Sequence, residues 1–125
     1  MKQVLVVYGK HYASDHVALD WIERGATVIE AFGAQDLQAL ETSLPDGQIV
    51  LRTNNEHVIN LVRVLMAEKK LESAEILAYG PAIDPYFRLA LRVQPDGTVR
   101  GWPYHFLGEA LDLSTRLLKA QKLHR

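Results

Sequence analysis

The chain has 125 residues and contains no cysteine. This absence excludes disulfide bonds, thiolate catalysis and cysteine-ligated zinc. The chain also lacks an excess of either charge, because 14 basic residues are matched by 15 acidic ones. A balanced charge creates no broad field for nucleic acid or an anionic membrane. Nucleic-acid binding is therefore not favoured, although a balanced net charge does not exclude a local basic patch.

Long hydrophobic runs are missing too. No apolar stretch approaches the ~20 residues that cross a bilayer. Residues 1–4 lead straight into a strand pattern, without the layout of a signal peptide. We therefore expect a cytoplasmic protein with no membrane segment. Hydrophobic residues make up 48% of the chain and charged residues 23%, which suits one folded domain over residues 1–125.

Strand and helix patterns alternate along most of the chain. Residues 3–8 form a run without polar alternation, which is typical of a strand buried on both faces in a parallel sheet. The following residues predict, in chain order, a helix ending at Gly25, a strand at 27–29, a helix at 35–43, a strand at 48–52, a helix at 54–70 and a strand at 74–79. Such alternation implies right-handed crossovers between parallel strands.

The pattern changes near the C-terminus. Residues 87–93 place a large apolar side chain at every second position, as in a half-exposed antiparallel strand. The turn at 94–97 returns the chain into 98–102, and 104–122 has the pattern of an amphipathic helix. The predicted fold is an α/β three-layer sandwich with a mainly parallel sheet of about six strands, a C-terminal antiparallel hairpin and a closing helix.

A polar stretch at 53–57 joins the third predicted strand to the longest predicted helix. Thr53 and Glu56 have the spacing of a capping box, in which the threonine hydroxyl caps the helix and the glutamate bonds back to a free backbone N–H. Asn54, Asn55, Glu56 and His57 also lie at the carboxyl end of the predicted sheet, where α/β folds usually bind ligands. Both interpretations can hold, and helix-start amides there would suit an anion.

The loop after the first strand supplies three further candidate ligand-binding residues, Lys10, His11 and Asp15. His11 and His16 can meet across this loop with Asp15 as a third metal ligand. Solvated loop histidines are far more common, so we predict neither a metal nor a cofactor. The loop also lacks the Gly-Lys-Ser/Thr ending that surrounds phosphates in a P-loop, so autonomous nucleotide hydrolysis is not expected.

Aromatic residues lie between the predicted hairpin and the last helix. Trp102, Pro103 and Phe106 form this group. A proline at a helix start is ordinary, and the aromatic rings are most simply core residues. The alternative is a surface for a protein partner, for which these three are the candidate interaction residues.

Several short motifs follow one another over more than half of the chain. In order they are Thr53, Glu56-His57-Val58-Ile59-Asn60, Arg63-Val64-Leu65, Asp96-Gly97, Trp102-Pro103, Phe106 and Glu109-Ala110-Leu111. From Ile49 to Leu118 the chain resembles the C-terminal segment of predicted ABC/SMC-like ATPases of prokaryotic defence and DNA-maintenance systems. The resemblance implies a sheet-plus-hairpin fold and an ancestral dimer surface. It does not extend to ATP hydrolysis, because Asn54 stands where the family has its switch histidine and neither Walker motif is present.

The first half carries a second resemblance. Residues 4–10, followed by Asp15, are similar to the opening of a TOPRIM domain, the metal-dependent fold of topoisomerases and primases. That family has a glutamate where Tyr8 stands and an Asp-x-Asp pair where Asn54 and Glu56 stand. Two magnesium-binding carboxylates are missing, so the resemblance implies a degenerate relative without the charge clamp of phosphoryl transfer.

Two hypotheses for function follow. The first is a non-catalytic α/β domain, related to an ATPase C-terminal segment, that acts by associating with a protein partner or with a second copy of itself. The alternative is a small-ligand or nucleotide binder, or a metal-dependent enzyme, that uses the carboxyl end of the sheet. Neither hypothesis assigns a catalytic residue, and the absence of enzymatic activity is the favoured expectation.

Overall fold

Five strands and four helices make up the part of this computed structural model that is described, namely residues 1–9, 16–32, 36–78, 89–100 and 111–124. The elements are β1 (Lys2–Tyr8), α1 (His16–Glu23), β2 (Thr27–Ala31), α2 (Leu37–Ser43), β3 (Gly47–Thr53), α3 (Glu56–Ala67), β4 (Ser73–Ala78), β5 (Leu89–Arg92) and α4 (Leu111–Lys122). None of the helices in these ranges has the length and apolar character needed to cross a bilayer.

The strands form one sheet in the order β2-β3-β1-β4-β5. The first four are mutually parallel, and β5 runs antiparallel to β4. The α/β prediction of a mainly parallel sheet with a C-terminal antiparallel pair is confirmed. The prediction of about six strands is wrong within the described ranges, which contain five. After the turn, residues 98–100 make one isolated bridge, Val99 opposite Val93, and residues 101–102 of the predicted returning strand lie outside the described residues.

The turn at 94–97 bonds to α3, which gives a physical reason why residues 98–100 form a bridge rather than a strand. The carbonyl of Gly97 accepts from Nε of Arg63 at 2.8 Å. Oδ1 of Asp96 accepts from the backbone N–H and the hydroxyl of Thr98 at 3.0 and 2.7 Å. These side-chain bonds stabilise a local turn rather than a continued ladder between two strands.

Consecutive residues of β1 contribute alternately to two buried clusters. Val4 and Val6 belong to the larger cluster, with buried residues of α2, α3 and α4. Leu5 and Val7 belong to the smaller cluster, with buried residues of α1. Because both sides of β1 are covered, its sequence has no polar alternation, as the pattern predicted.

α3 is the most buried helix among those described, with nine of its 12 residues buried. Asn60 and Arg63 interrupt its apolar sequence and form a narrow polar stripe. Asn60 is only 4% exposed, and its Oδ1 accepts from Nη1 of Arg63 at 3.3 Å. The stripe therefore faces the turn at 94–97, because Arg63 bonds to that turn.

An ion-pair network joins the three helices of the larger cluster. Arg116 of α4 donates to both carboxylate oxygens of Glu68 at 2.6 and 2.7 Å and to Glu41 of α2 at 2.9 Å. Lys70 lies 3.3 Å from each of these glutamates. The hydrogen bonds from Arg116 lower the pKa of both carboxyl groups and raise the pKa of the guanidinium. The network fixes α4 against α2 and the end of α3.

Candidate functional site

The carboxyl edge of the sheet brings the ends of β1 and β3 together. Tyr8 is the last residue of β1, and its register partner is Thr53, the last residue of β3. The N–H of Gly9 donates to the carbonyl of Thr53 at 3.1 Å. The two segments that follow these strands therefore start from neighbouring points.

Thr53 shapes the turn into α3, but not by capping the helix. The N-cap is Asn55, whose Oδ1 accepts from the N–H of His57 at 3.0 Å. The hydroxyl of the fully buried Thr53 donates to the carbonyl of Ala31 at 2.6 Å and accepts from the N–H of Asn55 at 2.9 Å. The predicted capping box is wrong, because the hydroxyl bonds to β2 and because Glu56 is the first residue of α3, too early for the capping-box position.

Glu56 acts electrostatically on Tyr8 across this edge. Burial, and then the negative charge of Glu56, raise the pKa of the Tyr8 phenol above its usual value. The phenol therefore stays neutral well into the alkaline range. A neutral hydroxyl near a carboxylate offers a ligand both a hydrogen-bond donor and an acceptor.

Among the residues that the structure describes, none bonds to Nδ1 of His57. This nitrogen is buried, although the residue as a whole is only partly buried. A buried polar atom left without a partner costs free energy relative to one that is bonded. Because this nitrogen is buried, a ligand could bond to it only after the imidazole ring had turned to expose it.

The predicted site residues divide into two groups. Asn54, Asn55, Glu56 and His57 lie together where β3 leads into α3, with Asn54 exposed and the other three partly buried. The remaining candidates lie outside the described residues, and they are Lys10, His11, Asp15, Trp102, Pro103 and Phe106. Within the ranges described above, no three His, Asp or Glu side chains are grouped as metal ligands.

Two residues of this edge were missed or misread from the sequence. Tyr8 was not among the candidate site residues, and Thr53 was interpreted only as a helix cap. Both residues end an apolar strand pattern, so the sequence could have predicted that they lie at the carboxyl edge. The sequence could not have predicted that they are neighbours, since this depends on β1 and β3 being adjacent in the sheet.

The groups described at this edge are a phenol, a carboxylate, an imidazole and two side-chain amides. Together these groups can bind a polar molecule through hydrogen bonds. No protein-family model, curated protein or solved structure matches this chain.

Proposed function

We propose that this chain is a small-ligand-binding domain whose site lies at the carboxyl edge between β1 and β3. One observation carries this function. Although β1 and β3 are neighbours in the sheet, the helices that follow them pack into different buried clusters. The chain thus leaves two adjacent strands in different directions.

This divergence is the topological switch point of an open α/β sheet. β1 leads to α1, whose buried residues join the smaller cluster, and β3 leads to α3, whose buried residues join the larger one. We infer a three-layer sandwich, with α1 on one side of the sheet and α2, α3 and α4 on the other. Parallel sheets of this kind bind ligands in the crevice outside the carboxyl ends of the strands where the connections diverge.

The polarity of the described edge favours a neutral or cationic ligand over a phosphate. The start of α3 is suited to an anion by its dipole, but Glu56 already places a carboxylate there. The N–H of His57 is also occupied, because it donates to Asn55. The phenol of Tyr8 and the carboxylate of Glu56 are of the chemical types that recognise a molecule rich in hydroxyl or amino groups.

Thermal-shift measurements with paired neutral and phosphorylated compounds, such as nucleosides and their nucleotides, test this function. We expect a neutral compound to raise the melting temperature of the wild type, since a ligand at 100 times its Kd adds about 2.7 kcal/mol of stability. Glu56→Gln and His57→Ala should lose most of that shift. Glu23→Gln, at an exposed position of α1, is the matched control and should keep it. Equal shifts in all four proteins, or no shift with any compound, would contradict the proposed site.

Association with a protein is the second candidate function, and a specific feature favours it. β2 lies at an end of the described sheet, and Thr27, Val28 and Glu30 of this strand are exposed.

Descent from an ATPase C-terminal segment remains a prediction. Measurable triphosphate turnover by the purified chain, lost when Asn54 or Glu56 is replaced, would contradict a purely binding role.

A further inference from the structure

The peptide groups of β3 have a direction that follows from one hydrogen bond. The carbonyl of Thr53 accepts from Gly9, so it points towards β1. Peptide groups alternate in direction along a strand, so those of Arg52 point the other way, towards β2. In a parallel ladder, a residue bonds to the two residues that flank its register partner.

The same alternation fixes β2. The register partner of Arg52 is Glu30, so Arg52 bonds to the flanking residues Ile29 and Ala31. The hydrogen bond from the Thr53 hydroxyl to the carbonyl of Ala31 agrees with this direction. The N–H and C=O groups of Val28 and Glu30 therefore point away from β3.

These outward groups lie on an accessible strand. No described strand lies beyond β2 in the sheet. Val28 is 38% exposed, and the side chain of Glu30 is 61% exposed. An edge of this kind is a template for pairing with another chain.

We propose that β2 pairs with β2 of a second copy of this chain, antiparallel, about a two-fold axis beside Ile29. This inference develops the second candidate function and is independent of the ligand site. The axis places Val28 of each copy opposite Glu30 of the other. Both residues have outward peptide groups, so the two pairs exchange about four backbone hydrogen bonds. Ile29 meets Ile29 of the second copy on the axis.

The charge on β2 selects this register over its neighbours. A register shift of two residues in one direction would place the two Glu30 carboxylates opposite each other. Like charges in directly opposed positions are destabilising. A shift of two residues in the other direction would place Val28 opposite Val28 of the second copy. Ala26 would then lie opposite Glu30 of the second copy, and this pair would require the N–H of Ala26. That N–H already donates to the carbonyl of Trp21 at 3.0 Å.

The size of the strand predicts a weak dimer. β2 has five residues, and one pair of such strands covers less than the roughly 1,200–2,000 Å² buried in stable complexes. We therefore expect an equilibrium between monomer and dimer that depends on concentration. Sedimentation equilibrium over a wide concentration range measures it directly.

A cysteine scan tests the position of the axis. The chain has no cysteine, so a single introduced thiol can bond only to a second copy. Ile29→Cys would place two thiols at a directly opposed pair with Cα atoms about 4.5 Å apart, within the range of a disulfide. Val28→Cys is the matched control, because its two copies are diagonal and more than about 7 Å apart. We expect a disulfide dimer on a non-reducing gel from Ile29→Cys under mild oxidation and little from Val28→Cys. Equal yields from the two variants, or none from Ile29→Cys, would overturn the register.

A charge pair at one position supplies a second test. In the proposed register, residue 28 faces Glu30 of the second copy. Val28→Lys should therefore tighten the dimer several-fold, and Val28→Glu should weaken it by a similar factor. If residue 28 faced itself, both variants would weaken it. A wild type that stays monomeric at every concentration would overturn the dimer and leave the ligand site untouched, since that site needs no second copy.

Discussion

Gly97 is a residue at which the structure leaves no room for a side chain. Its φ is +85°, and a Cβ built there would lie 2.7 Å from the carbonyl oxygen of Arg63 and 2.8 Å from Cδ1 of Leu117. Gly97→Ala should therefore cost roughly 2–4 kcal/mol of unfolding free energy, from backbone strain and overpacking together. Gly25→Ala is the matched control, because its φ is +96° but nothing lies within 4 Å of the added Cβ. Equal losses for the two variants in urea unfolding would contradict the close packing of this turn.

Tyr8 is the residue whose titration reports on the candidate site. Burial and the charge of Glu56 raise the pKa of its phenol in the folded state. A group with a raised folded pKa contributes stability below its unfolded pKa and loses it as pH rises through the folded value. The protein should thus lose stability above about pH 10, the usual pKa of tyrosine.

Glu56→Gln should lower the pKa of Tyr8, as read by ultraviolet titration of the phenolate. The difference spectrum against Tyr8→Phe assigns the absorbance change to Tyr8. An unchanged pKa in Glu56→Gln would argue against the electrostatic interaction between Tyr8 and Glu56.

At the scale of elements, Arg116 holds α4 on the rest of the molecule. It bonds to Glu41 of α2 and to Glu68 beside α3. Hydrogen bonds to charged groups contribute roughly 1.5–3 kcal/mol, and partial exposure of these groups reduces that, so Arg116→Met should cost about 1–3 kcal/mol at pH 7. Arg24→Met is the control and should cost little, since Arg24 directly follows α1 and its ion pair with Asp20 is exposed.

The acid limb of the stability curve provides an independent check on this network. The pKa values of Glu41 and Glu68 are lowered in the folded state, first by hydrogen bonds from Arg116. Their contribution is therefore present above the usual glutamate pKa of about 4.3 and is lost as pH falls through the lower folded values. Chemical unfolding of the wild type and Arg116→Met between pH 7 and pH 2 should show a difference that shrinks below about pH 4. A constant difference across this range would assign the effect to packing rather than charge.

Element types followed from local patterns, whereas their partners did not. The unalternated run in β1 predicted a strand covered on both sides, and it is one. Asn60 illustrates the limit, because the pattern of α3 does not say what covers its polar positions, and Asn60 is buried where Arg63 bonds to the turn at 94–97. Thr53 illustrates it again, since its spacing matched a helix cap while its hydroxyl bonds to a residue of β2. Both outcomes depend on contacts between segments distant in sequence.

At the scale of the whole molecule, strand order decided how much of the candidate site was predictable. The placement of Asn54, Asn55, Glu56 and His57 at the carboxyl edge followed from a general rule for parallel sheets. The pairing of Tyr8 with Thr53 required knowing that β1 and β3 are adjacent, which no local pattern encodes. The outward peptide groups of Val28 and Glu30 have the same origin, because their direction derives from the register with β3.

The central position of β1 has a consequence for the order of folding. β1 obtains its two neighbours from residues 47–53 and 73–78, as Lys2 pairs with Gly47 and Gln3 with Ser73. Such distant pairings fold more slowly than local ones, because a long loop must close before either contact forms. Until those pairings form, both edges of this apolar strand lack their partners. We therefore expect partly folded forms of the chain to aggregate more readily than the native state.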